Sequence, residues 1–275
     1  MPELPELEVL RRELVSSVKG RRIQRLRILK PYVLRNIFGG DLRNEIIENI
    51  TRRGKYLVID TDLHTISVHL MLRGSLEYIA SAEKIAKSAA AVLEFADGTR
   101  LQFKETGHKK RMAVYILPGG EYPDGIARSG IEPGAREFTV ERLAGLLAGD
   151  SMQLKSFLCD QRKIAGIGNA YADEILWNAG LSPFKITATL NDEEVRQLHN
   201  SIVSVMMWAV EQVNRAGRPE RRNFLNVHGK KGSRCARCGD IIQTVSYSDK
   251  DTFYCPTCQT QGKRMKNRRL SKFYR

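Results

Sequence analysis

Apolar residues follow a helical rhythm at the start of the chain and an alternating rhythm after it. A helix over residues 5–19 is predicted because apolar side chains recur every three or four positions: Leu7, Leu10, Leu14, Val15 and Val18. Pro5 suits the first turn of this helix, and Gly20 suits its end. Strand patterns follow at residues 22–29, 56–60, 65–72, 91–95 and 100–104. The first half is therefore predicted to be a β-sandwich or barrel with a leading helix.

The pattern becomes helical beyond a stretch rich in glycine and proline around residues 118–133, which marks a linker. Helices are predicted at residues 140–147, 154–161, 171–178 and 192–213. The expected organisation is a sandwich domain at 1–118, a linker at 119–136, a helical domain at 137–226, a finger at 227–260 and a basic tail at 261–275. The predicted fold class is therefore α+β, with several domains.

A short glycine-containing turn separates two of the predicted helices. In Gly166-Ile167-Gly168-Asn169 the glycines permit close approach of the backbone, and Asn169 is expected to cap the helix that follows. Free amides at such a helix start, around Gly168 and Asn169, favour a phosphate. A simple tight turn is the alternative.

The charge is unevenly distributed. The chain carries a formal net charge of +14, and residues 215–275 hold 16 lysines and arginines against four acidic residues. This concentration favours a polyanionic partner, with nucleic acid ahead of a membrane because no amphipathic anchor helix accompanies the charge. A tail that only improves solubility is the alternative. We find no signal-peptide or membrane-spanning pattern, and expect a cytoplasmic, nucleoid-associated monomer.

Four of the five cysteines form two tight pairs. Cys235-x2-Cys238 and Cys255-x2-Cys258 are separated by 16 residues, a spacing that lets two thiolate pairs complete a tetrahedral zinc site. Four protein thiolates leave no open position, so one structural Zn²⁺ is predicted. Basic residues near the hairpin tip, including Lys250, favour contact with a nucleic-acid backbone, although a zinc ribbon that binds protein is an alternative. The fifth cysteine, Cys159, is predicted to be buried.

The chain begins with a possible nucleophile. Removal of Met1 would expose Pro2 as a secondary amine close to the carboxylates of Glu3 and Glu6. Such an amine can attack a carbonyl or a sugar C1′ and form an iminium. Its pKa is subject to opposing effects, because a helix N-terminus and Lys55 disfavour the ammonium form while the two carboxylates favour it. The alternative is an ordinary helix start.

With these features in place, the chain resembles the formamidopyrimidine-DNA glycosylase/endonuclease VIII family of DNA repair enzymes. Four motifs carry the resemblance, which runs from Met1 to about Gln259: Pro2-Glu3-Leu4-Pro5-Glu6, Arg52-Arg53-Gly54-Lys55-Tyr56, the segment 157–174 and Phe253-Tyr254-Cys255-Pro256-Thr257-Cys258-Gln259. The resemblance implies an N-terminal β-sandwich, a helix-two-turn-helix domain and a zinc-ribbon finger. It also implies double-stranded DNA with damaged bases or abasic (AP) sites as the partner.

The resemblance assigns a role to each matching residue. Pro2 would attack C1′ of a damaged nucleotide and Glu3 would be the general acid, with Glu6 as the second family carboxylate. Lys55 would assist strand cleavage. Phosphates beside the extruded nucleotide would be held by Lys155 and by the helix start at Gly168 and Asn169, with Lys250 contributing from the finger tip. An iminium also acidifies the C2′ proton, which leads to β-elimination.

Two departures affect the side chains that would fill the gap left by the extruded base. Leu72 occupies the position at which guanine-lesion glycosylases have a methionine. The usual Asp-x-Arg-x-Phe-Gly stretch is replaced by residues 105–112, and either Gly107 or Lys110 takes the arginine position. The sequence therefore does not decide which side chains contact the unpaired base.

Two further departures affect specificity and cleavage. The segment 216–231 is short where 8-oxoguanine enzymes have a longer loop, so efficient recognition of that lesion by such a loop is not expected. Lys250 replaces an arginine, which keeps the charge but loses bidentate contact with phosphate. Cleavage is therefore expected to stop at β-elimination more often than in β,δ-eliminating relatives.

The leading hypothesis is a bifunctional DNA glycosylase/AP lyase acting on oxidised or ring-opened bases. A lyase confined to AP sites is one alternative, because the gap-filling residue is altered and the loop is short. A DNA-binding protein without catalysis is another. Pro2, Glu3 and Lys55 together count against it, because binding alone does not need this set.

Overall fold

The structure is a computed structural model that describes residues 1–36, 40–107, 109, 111–217, 222–247 and 250–265. Met1–Arg128 forms the body of one compact unit, and Ser129–Arg215 with the described part of 222–265 forms a second. The domain boundaries expected from the sequence remain predictions. Among the described residues, no helix has both the length and the apolar character needed to cross a bilayer.

The first unit consists of a leading helix, two antiparallel sheets and a short final helix. Its elements are α1 (Leu4–Val18), β1 (Ile23–Ile28), β2 (Ile47–Arg53), β3 (Tyr56–Thr61), β4 (His64–His69), β5 (Gly74–Ile79), β6 (Ala89–Phe95), β7 (Arg100–Glu105), β8 (Ala113–Pro118) and α2 (Asp124–Ala127). One sheet has the order β1-β6-β7-β5 and the other β2-β3-β4-β8. The predicted sandwich is therefore confirmed, and the barrel alternative is wrong.

Three strands have no counterpart in the sequence prediction. In β2 only Ile47 and Ile50 are buried, because a register shift between Ile47 and Asn49 interrupts the expected alternation. The strands β5 and β8 were also missed. The predicted strand 65–72 is too long, since β4 ends at His69 and the chain turns before β5.

A single apolar core joins α1 to both sheets. Leu7 and Leu14 of the helix pack with Leu57 and Val68 of one sheet and Phe103 of the other, and each of these side chains is at most 2% exposed. Burying each such side chain contributes on the order of 2 kcal/mol. The helix is therefore fixed on the sandwich, and its N-terminal residues have a defined position.

The second unit contains the remaining helices and one hairpin. Its elements are α3 (Val140–Ala148), α4 (Leu154–Cys159), α5 (Asn169–Asn178), α6 (Asp192–Ala216), β9 (Gln243–Tyr247), β10 (Lys250–Tyr254) and α7 (Pro256–Thr260). The turn between α4 and α5 uses Gly166 at φ +88°, a conformation that favours glycine. The Gln161 side chain holds this turn by accepting from Gly166 N–H at 3.0 Å and donating to the Ile167 carbonyl at 2.7 Å.

Two predictions in this unit are wrong. Gly168, not Asn169, is the N-cap of α5, and Asn169 is the first helical residue. Its side chain donates to the Asp251 carbonyl at 3.1 Å, so it is not used for capping. Cys159 is partly exposed where burial was predicted, because it lies at the last position of a short helix.

Candidate active site and nucleic-acid interface

The N-terminus of α1 has two carboxylates in a reciprocal arrangement. Glu3 is the N-cap and Glu6 the third helical residue, and each side chain faces the backbone N–H of the other. Glu3 N–H donates to Glu6 Oε2 at 2.8 Å. This is a capping box, which explains why the helix begins here. Pro2 therefore lies immediately before a helix start at which both carboxylates are buried, at 3% and 2% exposure.

The β2–β3 hairpin places Lys55 at its turn. Gly54 adopts φ +56°, and Lys55 is only 7% exposed. Beside this turn, Arg52 Nε lies 3.6 Å from Glu8 Oε2, which ties the hairpin to the second turn of α1. Burial acts to raise the pKa of Glu8, but the hydrogen bond from Arg11 and the charge of Arg52 hold it below its ordinary value. Glu8 is therefore ionised at neutral pH.

His69, which the sequence did not single out, ends β4 opposite Tyr56. The two rings are edge to face with centroids 4.8 Å apart. Burial, and secondly the charge of Lys55, lowers the pKa of His69 to about 4. The ring is thus neutral at pH 7, and its Nδ1 accepts the Met71 N–H at 3.0 Å.

This depressed pKa predicts a pH-dependent stability. The free imidazole pKa is near 6.5, so between pH 6.5 and about 4 the unfolded chain binds a proton that the folded chain does not. The neutral His69 ring therefore makes its full contribution to the free energy of unfolding above pH 6.5, and this contribution is lost as the pH decreases through about 4. We expect it to be about 2 kcal/mol smaller at pH 5.0 than at pH 7.5.

The comparison that isolates this contribution uses His69→Asn, which cannot titrate. Urea unfolding of both proteins at the two pH values should show a steeper loss of stability in the wild type, since all other groups are common to both. Equal losses in the two proteins would contradict the neutral state of the half-buried His69 ring.

The turn after β4 exposes Leu72, which is 50% exposed while Leu70 is 2% exposed. Across from this turn, Glu105 Oε1 accepts the backbone N–H groups of Arg111 at 2.7 Å and Met112 at 3.0 Å. Glu105 thereby holds together the two ends of the segment that replaces the family pattern, a role the sequence did not reveal. Lys110 lies outside the described residues, so the choice between Gly107 and Lys110 stays open.

In the second unit, Lys155 and Asn169 converge on one carbonyl oxygen. Lys155 Nζ donates to the Asp251 carbonyl at 2.6 Å, and Asn169 Nδ2 donates to the same oxygen at 3.1 Å. Asp251 belongs to β10, so two residues predicted to hold phosphate also hold the tip of the hairpin. Lys250 begins β10, and its side chain lies outside the described part of the chain.

Two acidic residues of α5 organise this region and were missed from the sequence. Asp173 is fully buried, with Oδ1 2.6 Å from Lys155 Nζ and Oδ2 2.8 Å from His228 Nδ1. Glu174 accepts backbone N–H groups from the chain that leads to the finger, namely those of Asn226, Val227 and His228 at 2.8–2.9 Å. The sequence signal that could have identified them is that Asp173 and Glu174 are consecutive acidic residues at the end of the 157–174 motif.

The four paired cysteines form a site that fits zinc. Their sulfur atoms all lie within 4.8 Å of one another, with Cys235–Cys258 at 3.9 Å and Cys238–Cys255 at 3.3 Å. A tetrahedral ion with Zn–S bonds of about 2.3 Å needs sulfur separations of about 3.8 Å. Trp177 Nε1–H also donates to Cys235 Sγ at 3.4 Å, the kind of outer contact that orients a ligand. One structural Zn²⁺ fits these residues.

The finger is held against the rest of its unit by Gln259. This side chain is 6% exposed, accepts the Cys255 N–H at 2.9 Å and donates to the Leu181 carbonyl at 3.0 Å. Arg237 also lies over the Trp177 ring, 4.5 Å from its centroid. The metal site is therefore fixed to the rest of the unit, and its ligand Cys255 directly follows β10, the strand that contains Asp251.

Three family models match the chain in succession. They are the formamidopyrimidine-DNA glycosylase N-terminal domain at residues 1–112, the H2TH domain of the same enzyme at residues 129–218, and the zinc finger found in FPG and IleRS at residues 232–261. The order agrees with the sandwich, the paired helices and the cysteine finger described above.

Individual relatives match along nearly the whole chain. The formamidopyrimidine-DNA glycosylase of Carboxydothermus hydrogenoformans is 33% identical, covering 94% of this chain and 100% of the relative. That of Symbiobacterium thermophilum is 35% identical, with 94% and 89% covered.

Solved structures of the Lactococcus lactis enzyme (Fpg or MutM) are also similar. Its complex with DNA containing an oxidised pyrimidine has a TM-score of 0.84 at 29% identity, with 94% and 100% covered. Its complex with DNA containing an AP site has a TM-score of 0.83 at 29% identity, with 94% and 99% covered. With the capping-box start, the paired helices and the four-cysteine site all present, this chain belongs to the formamidopyrimidine-DNA glycosylase family.

Proposed function

We propose that the protein is a bifunctional DNA glycosylase/AP lyase of base excision repair. The observation that carries this proposal is the N-terminal arrangement, in which Pro2 directly precedes a capping box made of the buried carboxylates of Glu3 and Glu6. A serine or aspartate would cap this helix at least as well as two buried glutamates, so capping alone does not require the pair. The two carboxylates also supply acid–base groups beside an amine. Because the chain belongs to a family of DNA glycosylases, we interpret the amine as the nucleophile and the carboxylates as its acid–base partners.

The proposed reaction begins at the Pro2 nitrogen after removal of Met1. The amine attacks C1′ and loses its N–H proton, the damaged base leaves with the bonding electron pair and takes up a proton, and Glu3 gives a proton to the ring oxygen as the sugar opens. The resulting iminium is an electron sink, so loss of the C2′ proton expels the 3′ phosphate. Water then releases the sugar aldehyde and regenerates the amine. Lys55, at the β2–β3 turn, is proposed to assist the elimination.

The proposed substrate is duplex DNA with an oxidised or ring-opened base, or an AP site. L. lactis Fpg has been crystallised with an oxidised pyrimidine, with Fapy-dG and with an AP site, which supports both base excision and AP cleavage. A lyase confined to AP sites and a binder without catalysis are therefore not favoured. We propose that Lys155, Gly168, Asn169 and Lys250 hold phosphates and that Leu72 fills the gap. The cytoplasmic, monomeric state remains a prediction.

Borohydride trapping across defined lesions tests the function. Wild-type protein is incubated with duplexes that carry a single Fapy lesion, 8-oxoguanine, an oxidised pyrimidine or a pre-formed AP site, with and without reductant. We expect a covalent complex with the AP duplex and with at least one base lesion, and weaker reaction with 8-oxoguanine. Gel analysis of the 3′ ends separates β- from β,δ-elimination. Trapping only at AP sites would refute the glycosylase activity, and no trapping would refute the proposal.

Substitution of Glu3 is expected to separate the two activities. Glu3→Gln keeps an oxygen for the helix cap but cannot give up a proton, so base excision should fall by about 100-fold or more. A pre-formed AP aldehyde needs only the amine, and its cleavage should remain within about tenfold of wild type. Glu13→Gln, on the exposed face of the same helix, is the control and should leave both rates nearly unchanged. Equal losses of both activities in Glu3→Gln would contradict its role as an acid.

A further inference from the structure

The last described residues of the chain turn back onto the finger after α7. Gln261 and Gly262 both adopt left-handed conformations, with φ +53° and +82°. Gly262 N–H donates to the Pro256 carbonyl at 3.0 Å, and Lys263 N–H donates to the Thr260 carbonyl at 2.9 Å. The left-handed conformation costs a non-glycine residue such as Gln261 about 1 kcal/mol or more, and it persists only where surrounding contacts impose it. The reversal of the chain is therefore built into the end of α7.

Met265 attaches this reversed segment to the core of its unit. Its N–H donates to the Tyr254 hydroxyl oxygen at 2.7 Å. Tyr254 ends β10, is fully buried, and meets the Phe184 ring edge to face with centroids 5.4 Å apart. Burial raises the pKa of Tyr254, so the hydroxyl remains protonated at neutral pH and its oxygen accepts the bond. We call residues 261–265 the root, because they fix the point from which residues 266–275 follow.

The root lies close to the residues proposed to hold DNA phosphates. Tyr254 follows Asp251 by three residues on β10, so their Cα atoms are about 10 Å apart. The length of a tyrosine side chain then places Met265 within about 20 Å of the Asp251 carbonyl. Lys155 and Asn169 both donate to that carbonyl oxygen. The root is thus within about six base-pair steps of the proposed phosphate site.

The segment 263–275 is strongly basic. It carries no acidic side chain and seven basic ones: Lys263, Arg264, Lys266, Arg268, Arg269, Lys272 and Arg275. Lys263 and Arg264 are exposed. The zinc-finger family model ends at residue 261, so the segment lies outside the part of the chain that the family models match. A segment that only improves solubility needs no fixed root, and acidic residues would serve that purpose better.

Duplex DNA matches this segment in charge and in length. Ten residues of polypeptide span at most about 35 Å, so residues 266–275 can follow about ten base pairs of DNA. The duplex presents one negative charge per about 1.7 Å along its axis, and basic side chains gain affinity by releasing the counterions bound there. An anionic membrane is less favoured as the partner, because the root lies beside the residues that are proposed to hold DNA phosphates.

We propose that residues 263–275 form a second DNA-binding arm, which contacts phosphates of the undamaged duplex beside the lesion. The root fixes where the arm meets the DNA, and the basic side chains supply affinity without reading the base sequence. The inference goes beyond the proposed function, because it requires neither base excision nor strand cleavage. The arm therefore adds affinity to damaged and undamaged duplexes alike.

Charge variants of the full chain test the arm. The arm variant combines four substitutions: Arg268→Gln, Arg269→Gln, Lys272→Gln and Arg275→Gln. The root variant combines Lys263→Gln and Arg264→Gln. A control variant removes the same charge as the arm variant from exposed positions outside the segment: Lys19→Gln, Lys84→Gln, Lys87→Gln and Arg136→Gln.

Three duplexes are compared at several salt concentrations. One carries an AP site in about 36 base pairs, the second has the same lesion centred in about 12 base pairs, and the third is an undamaged duplex of the longer length. The short duplex extends only about 20 Å to each side of the lesion, so it reaches the root but leaves little DNA for residues beyond it. Zinc content confirms that the finger of each variant is folded.

We expect the arm variant to lose affinity only where flanking DNA is present. On both long duplexes, the slope of log affinity against log salt should become shallower by about 2, which means about 100-fold weaker binding at 0.1 M salt. On the short duplex the loss should be within about threefold. The root variant should lose about tenfold on all three duplexes. The control variant should stay within about threefold of wild type, because this salt concentration screens charges beyond about 10 Å.

Several outcomes would overturn the inference. It is wrong if the arm variant or the root variant binds the long duplexes like wild type, or if the control variant loses as much as the arm variant. An equal loss of the arm variant on the short duplex would indicate a structural effect and also refute it. Vesicles with about one quarter phosphatidylglycerol in phosphatidylcholine test the other partner, since binding that depends on the arm charges, with unchanged DNA affinity, would assign the segment to a membrane.

Failure of the proposed function has a different signature. Wild-type protein would then bind both long duplexes with the affinity that the arm supplies, yet form no borohydride-trapped complex with the AP site. Single-turnover cleavage with saturating protein should stay within about twofold of wild type in the arm variant, because the arm contributes only to binding.

Discussion

Replacing Pro2 with glycine is expected to lower the rate of covalent trapping on AP-site DNA by about 1000-fold. Two physical contributions are lost together. A secondary amine gives a cationic iminium without needing a further proton, and the ring fixes the direction of the nitrogen lone pair ahead of the capping box at Glu3. Glycine retains a primary amine with free rotation, so a small residual rate should remain.

The matched control is Pro5→Ala. Pro5 lies in the first turn of α1, where proline favours helix initiation but has no amine to offer, so trapping should stay within about threefold of wild type. Mass spectrometry of active protein should show a chain that begins at Pro2. Activity in a population that wholly retains Met1, or equal losses in Pro2→Gly and Pro5→Ala, would rule out the N-terminal amine as the nucleophile.

Loss of the metal site is expected to have the second large effect. Cys255→Ser removes a fully buried ligand, and structural zinc contributes about 10–16 kcal/mol to the folding of zinc-finger peptides. A hairpin of this size has too little core to fold without the ion. We expect zinc content to fall from one equivalent to near zero, and affinity for AP-site duplex to fall by about 100-fold or more, because the Asp251 tip would no longer lie beside Lys155 and Asn169.

The fifth cysteine gives the control for this experiment. Cys159 lies outside the four-cysteine cluster, so Cys159→Ser should keep one equivalent of zinc and the wild-type affinity. Zinc is measured by atomic spectroscopy and affinity by titration at several salt concentrations. The slope against salt should become shallower for Cys255→Ser, since phosphate contacts are lost. A zinc-free Cys255→Ser protein that binds DNA like wild type would show that the finger does not contribute.

The strand predictions show where local patterns stop being informative. The strands β3 and β6 were found because each has a run of apolar residues, and β7 was found because apolar and polar residues alternate in it. Gly98 at φ +83° lies in the turn that joins β6 to β7. Within its sheet, β8 pairs with β4, more than 40 residues earlier in the chain, and its place at an edge of the second sheet is set by that distant partner. The sequence could not decide between a sandwich and a barrel for the same reason, because that choice depends on which distant strands pair.

The site residues divide in a similar way. The cysteine spacing and the glycine turn before α5 each involve neighbours in sequence, and the sequence located both. The Glu3–Glu6 capping box is equally local, but the sequence analysis did not identify it. The partners of Lys155 lie 18 residues away at Asp173 and 96 residues away at Asp251, and no spacing rule connects them. Asn169 was expected to cap a helix because its local role was all that could be inferred, and the distant carbonyl of Asp251 takes its side chain instead.

The sequence by itself therefore determined the chemical groups: a proline amine next to two carboxylates, a lysine before a predicted strand, four thiolates at zinc spacing and a basic C-terminal region. Only the tertiary structure decided the environment of such groups, as for the neutral ring of His69 beside Lys55 and the buried carboxyl group of Asp173 between Lys155 and His228. The physical reason is that caps, turns and metal spacings are short-range, whereas desolvation and charge pairing depend on residues that only folding brings together.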